Sequence, residues 1–242
     1  MAPRIPRRAR VIETRALTPR MVRVVLGGDE LADFGAGEFT DHYVKLRIGP
    51  RTRTYTVRDW DGERLTIDFV VHGDSGVAGP WAATAEPGDE IELLGPGGAY
   101  TPDPDADWHL MVGDAAVIPA IAASLPRIPP GVPVHVLIAV DGPEEEQPLT
   151  TRGDLHLRWL RDDDALVAAV SALDFPAGRV HAFVHGEAST VRAIRKHLLV
   201  DRRLAREALS VSGYWKRTRT EEGWREDKAD WNRLVEQDAK AA

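Results

Sequence analysis

From Arg10 to about Leu94, apolar and polar residues alternate in short runs of period two, each ended by glycine, proline or aspartate. Alternation sends successive side chains to opposite faces, so these runs read as half-buried strands. The clearest are Arg20 to Leu26, His42 to Ile48, Arg53 to Val57, Leu65 to His72 and Glu90 to Leu94. Turn residues separate them at Gly27-Gly28-Asp29, Gly49-Pro50, Asp61-Gly62 and Pro87-Gly88-Asp89, where glycine admits positive φ and proline presets the turn angle. The spacing predicts an antiparallel barrel or sandwich. One segment, Val77 to Ala85, has helical composition, and Arg4, Arg7, Arg8 and Arg10 are expected to flank a first strand.

The pattern changes after Pro96-Gly97-Gly98 and Thr101-Pro102-Asp103-Pro104-Asp105. His109 to Gly113, Val134 to Val140, Leu155 to Leu160, Val180 to His185 and Leu209 to Tyr214 read as buried strands. Ala115 to Leu125 reads as a helix kinked at Pro119, and Glu187 to Leu199 as an amphipathic helix. Strands alternating with helices predict an open, mostly parallel α/β sheet. Glu144-Glu145-Glu146 and Asp162-Asp163-Asp164 read as solvated turns. The tail, Lys216 to Ala242, reads as too charged for the core, although Trp224 and Trp231 are spaced as on one helical face. The pattern divides the chain into two domains, β + α/β: an antiparallel barrel or sandwich over residues 1–103, then a mostly parallel α/β domain over 104–242 that carries the charged tail.

Composition narrows the chemistry. At 242 residues the chain is long enough for about two domains. It has no cysteine, which excludes disulfide frameworks, thiolate zinc sites, iron–sulfur clusters and cysteine nucleophiles. Its net charge, 31 Lys+Arg against 38 Asp+Glu, is −7, so no nucleic-acid partner is expected. The longest apolar run, Ala115 to Ala123, is far below the ~20 residues of a membrane span. The N-terminal arginines precede no apolar stretch, so no secretory signal is read and a cytoplasmic location is expected.

Several segments carry chemistry. Along Arg53-Thr54-Tyr55-Thr56-Val57-Arg58, alternation puts Arg53, Tyr55 and Val57 on one face and Thr54, Thr56 and Arg58 on the other. A guanidinium for a phosphate, a phenol for a planar ring and a hydroxyl at the ring edge are what a flavin needs. The same hexapeptide also suits an ordinary exposed strand. Asp68 to Ala82, DFVVHGDSGVAGPWA, runs from a strand through a glycine-rich loop into a helix start, where small residues let a pyrophosphate approach the backbone. Within it, Gly73-Asp74-Ser75-Gly76 echoes a serine-protease loop, but the residues that should follow are missing and His42 and His72 are no more than nominal bases. Gly113-Asp114-Ala115-Ala116-Val117-Ile118-Pro119 sits at a strand-to-helix turn suited to a pyridine nucleotide, without the full dinucleotide fingerprint. His181 and His185 read as core or strand-end histidines rather than metal ligands.

Taken in order, RTYTVR, DFVVHGDSGVAGPWA, GDAAVIPAIAASL, VHGEASTVRAIRKHL and LSVSGYW resemble the siderophore-interacting protein family of flavin-dependent ferric-siderophore reductases, over about Arg10 to Trp215. The resemblance implies a ferredoxin-reductase-like fold, two-domain β + α/β, with a six-stranded antiparallel FAD-binding β-barrel followed by a mostly parallel α/β domain for NADH or NADPH. Arg53 would hold the flavin phosphate, Tyr55 would pack on the flavin and Thr56 would sit at the ring edge, with Thr54 and Asp68 in the same cofactor-binding set. Val70, Val71 and His72, with Gly76, Val77, Ala78, Gly79, Trp81 and Ala82, would wrap the diphosphate and adenosine. Gly113, Asp114, Ala115, Ala116, Pro119, Gly186, Glu187 and Ala188 would bind the nucleotide. The family typically shows Gly-Asp-Glu-Thr where this chain has Gly113-Asp114-Ala115-Ala116. After Gly213-Tyr214-Trp215 the usual Arg-then-Gly reads Lys216-Arg217-Thr218. Lys45, Lys216 and Arg217, with Arg47 and Arg219 beside them, are the expected cations for an anionic ferric siderophore. No catalytic base, nucleophile or protein-bound metal is expected, and a monomer is the working expectation. The alternatives are a general NAD(P)H:flavin reductase or electron-transfer flavoprotein, and a non-catalytic siderophore carrier of the same fold.

Overall fold

A computed structural model describes residues 6–35, 37–73 and 76–240, with backbone alone for 239 and 240. The chain forms two compact units. Unit 1 contains residues 1–101, 119–127 and 144–149, and unit 2 contains 102–118, 128–143 and 150–242.

In unit 1, β1 (Arg7–Thr18), β2 (Met21–Gly27), β3 (Tyr43–Ile48), β4 (Arg51–Trp60), β5 (Leu65–Val70) and β6 (Glu90–Gly97) close into a barrel of order β1-β2-β5-β4-β3-β6. Every pairing is antiparallel. The alternating pattern turns Val24, Leu26, Val44, Leu46, Leu65, Ile67, Phe69 and Leu93 into the interior, where each is fully buried. Arg7, Arg8 and Arg10 lie inside β1 rather than flanking it. The strand tolerates them because Ala9 and Val11 supply its inward face, while Arg10 pairs with Glu90 at 3.2 Å and Arg7 donates to the Gly95 carbonyl at 2.8 Å. α1 (Ala78–Thr84) follows β5. A Cβ on Gly79 would lie 3.1 Å from the Val70 carbonyl oxygen and 3.3 Å from the Val71 Cα, so only glycine lets the helix start this close to the strand end.

Two segments from beyond residue 103 belong to unit 1. The first holds most of α2 (Ile118–Ser124), whose Ser124 hydroxyl lies 2.7 Å from that of Thr40. Pro119 sits in the first turn of α2, where a missing N–H costs nothing, so it opens the helix instead of kinking it. In the second segment Glu145 is buried and accepts a 2.5 Å hydrogen bond from the Thr18 hydroxyl, so that residue is not on a solvated turn.

Unit 2 is a five-stranded sheet of β7 (Trp108–Asp114), β8 (Pro133–Ala139), β9 (Asp154–Leu160), β10 (Val180–Glu187) and β11 (Leu209–Trp215), in the order β11-β10-β7-β8-β9. All four pairings are parallel. α3 (Asp163–Ser171) was not foreseen. Asp162 is its N-cap, accepting from the Ala165 N–H at 2.7 Å, and Asp163 and Asp164 fill its first turn. α4 (Ala188–Lys196) runs on through a π turn to Asp201.

The charged tail forms α5 (Glu221–Lys240), and against expectation it enters the core. Trp224, Trp231 and Val235, on one helical stripe, are buried with Leu110, Val112, Ala188, Val191 and Ile194. The Trp231 indole N–H donates to the Ala188 carbonyl at 2.9 Å, and Arg192 holds Asp238 through two hydrogen bonds of 2.6 and 3.0 Å. Charge patterning hides such a helix because its other faces are mostly polar. If burial rather than the ion pair fixes α5, Trp231→Ala costs about 3–5 kcal/mol. Asp238→Ala, at a partly exposed pair, then costs about 1 kcal/mol or less. Urea unfolding of the two variants reads the difference, and the reverse ranking would show that charges hold the helix.

Candidate functional site

In the barrel, β3 and β4 pair Val44 with Tyr55 and Leu46 with Arg53, while Tyr43 pairs with Thr56 and Lys45 with Thr54. Directly paired residues share a face, so Tyr55 and Arg53 stand on the side of the buried Val44 and Leu46, and Thr54 and Thr56 stand beside Lys45 and Tyr43. Tyr55 packs 4.3 Å from Phe69 between ring centroids, and Phe69 lies 5.5 Å from Trp81. This ladder of three rings crosses from β4 through β5 to α1. Its middle ring is fully buried and the outer two are half-buried. Arg53 is half-buried and its Nη1 donates to the Thr52 carbonyl at 3.0 Å.

The loop between β5 and α1 carries His72 exposed and Val70, Val71 and Val77 half-buried, with Ala78, Gly79 and Ala82 packed away. Gly73 and Gly76 have φ of +58° and +78°, and a Cβ on either would meet nothing within 4 Å. Asp74 and Ser75 lie outside the described residues. Asp68 differs from its neighbours. Its side chain is 2% exposed, and Arg23 takes both oxygens in a fork of 2.6 and 2.8 Å across the β2–β5 register. That bond holds the Arg23 guanidinium above its usual range, and burial lowers that of nearby Arg58. Asp68 therefore braces the barrel wall, its carboxylate held by Arg23 and closed to solvent, a role that neither its spacing nor its composition signals.

Apart from Pro119, which belongs to unit 1, the residues expected to bind nucleotide gather at the carboxyl ends of β7 and β10, where the strand order reverses and open α/β sheets place their ligands. Asp114 is buried. Its Oδ1 accepts the Ala116 N–H at 2.9 Å, and its Oδ2 accepts both the Glu187 N–H and the Trp215 indole N–H at 2.8 Å. Burial pushes its carboxyl up to about 6 even though these three donors favour the anion. Gly186 has φ +130°, and a Cβ there would lie 2.5 Å from the Asp114 Oδ2. Glu187 is also buried. Its Oε2 accepts from the Ser189 and Thr190 N–H groups at 2.6 and 2.9 Å, capping α4, and its Oε1 accepts the Arg217 N–H at 3.1 Å. Ala188 is fully buried behind it, Gly113 is packed away, and Ala115 and Ala116 are half-buried.

Among the expected substrate cations, Arg47 pairs with Glu92, Arg217 with Asp163 and Arg219 with Asp227. Lys45 and Lys216, both half-buried, have no ion pair among the described residues. The two histidines of β10 go separate ways. His181 Nδ1 accepts the Asp103 N–H at 3.0 Å, while His185, stacked on Phe183 and 3.0 Å from the Ser210 hydroxyl, is pushed down to about 3 by burial, with the Lys228 charge adding to it. No cluster of three metal-ligating side chains occurs among the described residues, and no described helix is long and apolar enough to cross a membrane. Sequence reasoning passed over Arg23 and gave Trp215 no role beyond its place in the Gly213-Tyr214-Trp215 motif. Each is a single residue on a strand and becomes notable only through a partner distant in sequence.

A closed antiparallel barrel followed by a five-stranded parallel sheet is the ferredoxin-reductase-like architecture of two-domain flavoproteins. The siderophore-interacting FAD-binding domain model matches residues 10–51 and 47–100, and the siderophore-interacting protein model matches 106–218. An uncharacterized protein of Mycobacterium tuberculosis is 40% identical over 91% of this chain and 93% of its own. The ferric vibriobactin reductase of Vibrio cholerae is 33% identical over 92% and 94%. A siderophore utilization protein from T. fusca, known from its crystal structure, is 35% identical with a TM-score of 0.80, over 91% of this chain and 96% of that one. The chain belongs to the siderophore-interacting protein family, and its first domain is that family's FAD-binding domain.

Two predictions test these assignments. Arg23→Leu strands a buried carboxylate and lowers stability by about 3 kcal/mol, with FAD uptake by the folded protein unchanged. A tenfold loss of FAD affinity at full stability would instead return Asp68 to the cofactor set. The second concerns pH. Because the Asp114 pKa is raised in the folded state, the unfolded chain binds fewer protons between about pH 4 and 6, and the contribution of this group to stability falls as pH rises through that window. The stability difference between the native protein and Asp114→Asn should therefore fall by up to about 3 kcal/mol from pH 4 to 7. A difference that stays flat or rises contradicts the assignment.

Proposed function

We propose that this protein reduces ferric iron held by a siderophore, with electrons passing from NADH or NADPH through FAD seated on the barrel. The ring ladder Tyr55–Phe69–Trp81 beside an open glycine loop carries the reading. The residues fit a flavin. Two half-buried aromatic faces flank a buried ring, Gly73 and Gly76 leave the backbone uncovered, and Arg53 supplies a guanidinium on the strand that also holds Tyr55. Tyr55 and Trp81 would hold the planar ring system, Thr54 and Thr56 would border its polar edge, Arg53 would take a phosphate oxygen, and the 70–72 and 76–82 backbone would follow the diphosphate.

When bound, FAD converts a two-electron hydride donor into one-electron transfers. The reaction balances as NAD(P)H + 2 Fe(III) → NAD(P)⁺ + 2 Fe(II) + H⁺. Ferric iron is a hard ion held by oxygen chelators, and the ferrous ion binds them more weakly, so reduction itself releases the metal. No side chain has to donate or accept a proton at the iron. Lys45 and Lys216 are the cations with charge to spare for an anionic chelate. Arg217, already tied to Asp163, is a weaker candidate than its sequence position suggests. The Vibrio cholerae relative is a ferric vibriobactin reductase, which supports the same reading. It suits a cytoplasmic monomer, where reduced nicotinamide is available.

The purified protein should be yellow with flavin absorbance. Under anaerobic conditions NADH or NADPH should bleach it, a ferric siderophore should restore the colour, and two Fe(II) per nucleotide should appear with a ferrous chelator. Tyr55→Ala should weaken FAD binding about tenfold, since a lost ring stack is worth roughly 0.5–1.5 kcal/mol besides its buried area. A colourless protein that takes up no FAD sinks the proposal.

A further inference from the structure

At the β7–β10 strand reversal five backbone donors are already taken. The Ala116 and Glu187 N–H groups are bound to Asp114, and those of Ser189, Thr190 and Arg217 are bound to Glu187. A helix N-terminus at such a reversal ordinarily offers these groups to a pyrophosphate. Here the protein's own carboxylates take much of the place of the anion, which shifts the task of holding a nucleotide toward side chains.

One side chain at this edge suits that task. Trp215 ends β11, is 37% exposed, and is the one tryptophan among the described residues with an exposed ring. Its polar edge is pinned, because the indole N–H donates at 2.8 Å to a carboxylate that is itself buried and held by two backbone N–H groups. Trp231, by contrast, also satisfies its N–H, but with the ring sunk in the core. A ring that only stapled β11 to β7 would be expected to hide in the same way. An indole fixed at one edge and with more than a third of the residue open to solvent is an oriented plate, and the adjoining Lys216 has no ion pair among the described residues. An apolar plate beside a cation matches a planar heteroaromatic ring that carries phosphates.

We infer that Trp215 is the plate on which a ring of the nicotinamide nucleotide stacks, and that Asp114 is the positioning residue that sets its plane. This rests on the function proposed above. Holding the ring in place before the ligand arrives removes an ordering cost from binding.

The native protein supplies the first test. N-Bromosuccinimide should oxidise Trp215 ahead of the other tryptophans, as read by peptide mass mapping, and NAD⁺ or NADP⁺, which cannot reduce the flavin, should protect it. Protection by ADP-ribose alone places the adenine on the plate, and protection by nicotinamide mononucleotide alone places the nicotinamide there. Trp215→Leu should raise the nucleotide KM about tenfold or more while kcat at saturation changes less than about twofold, and Trp215→Phe, which keeps a ring, should raise it less than about threefold. Asp114→Asn should raise the nucleotide KM and make Trp215 more open to acrylamide quenching. In all three variants a photoreduced flavin should pass electrons to the ferric chelate at the native rate. If Trp215→Leu does not fold, the native protection assay and the Phe variant decide. Nucleotides that reduce the flavin yet leave Trp215 unprotected, or a Leu variant with native KM, overturn the plate and leave the reductase standing. A flavin that no nucleotide reduces overturns both.

Discussion

The sheet half of this protein depends on one buried carboxylate. A parallel sheet ends in a row of strand termini whose N–H groups have no partner in the ladder, and at the point of strand reversal those termini diverge. Asp114 gathers three of them. By accepting from the Ala116 turn, from Glu187 at the end of β10 and from Trp215 at the end of β11, it ties three strands through a single side chain. The cost is desolvation, seen in a carboxyl raised to about 6. The return is geometric, since a group with three directional donors can occupy one position only. Gly186 follows from this constraint, because any side chain there would strike the carboxylate.

Glu187 extends the same solution by one residue. It caps α4 and reaches across to the Arg217 N–H, so the strand end, the helix start and the segment after β11 form one polar network. The barrel half is braced differently. There the Arg23–Asp68 fork spans neighbouring strands, and the Tyr55–Phe69–Trp81 ladder links two strands to the following helix. At the loop after β5 the glycines Gly73 and Gly76 carry no side chain over their backbone, whereas at the sheet end five N–H groups are already bound to carboxylates.

The strands were legible because period-two alternation is a direct image of a half-buried sheet, and all ten runs read from the pattern became strands. What escaped has a common physical cause. α3 begins with three aspartates that look like a solvated turn, yet aspartate at an N-cap and in the first turn is stabilised by the helix's own free N–H groups. α5 is polar on most of its circumference, and the buried stripe of Trp224, Trp231 and Val235 is too sparse to outweigh that. Glu145 and Asp68 look like surface carboxylates until Thr18 and Arg23 arrive from elsewhere in the chain. The candidate site shows the same division. The positions of Arg53, Tyr55, Gly113, Asp114 and Glu187 follow from strand ends and turns. The partners that decide what each can do are set by long-range contacts.

The net charge of −7 bears on how an anionic chelate would be met. Five basic residues stand near the segments tied to function, but Arg47, Arg217 and Arg219 are each neutralised by an acidic neighbour. Two lysines on an acidic molecule cannot sustain a field over long distances, and at physiological ionic strength exposed charges are screened beyond about 8 Å. Long-range steering would therefore contribute little to capture, and selectivity among chelates must come from contact at short range. Since Lys45 and Lys216 are half-buried, each side chain is already partly held by its neighbours, and contact with a chelate would order less of it than of a fully exposed lysine.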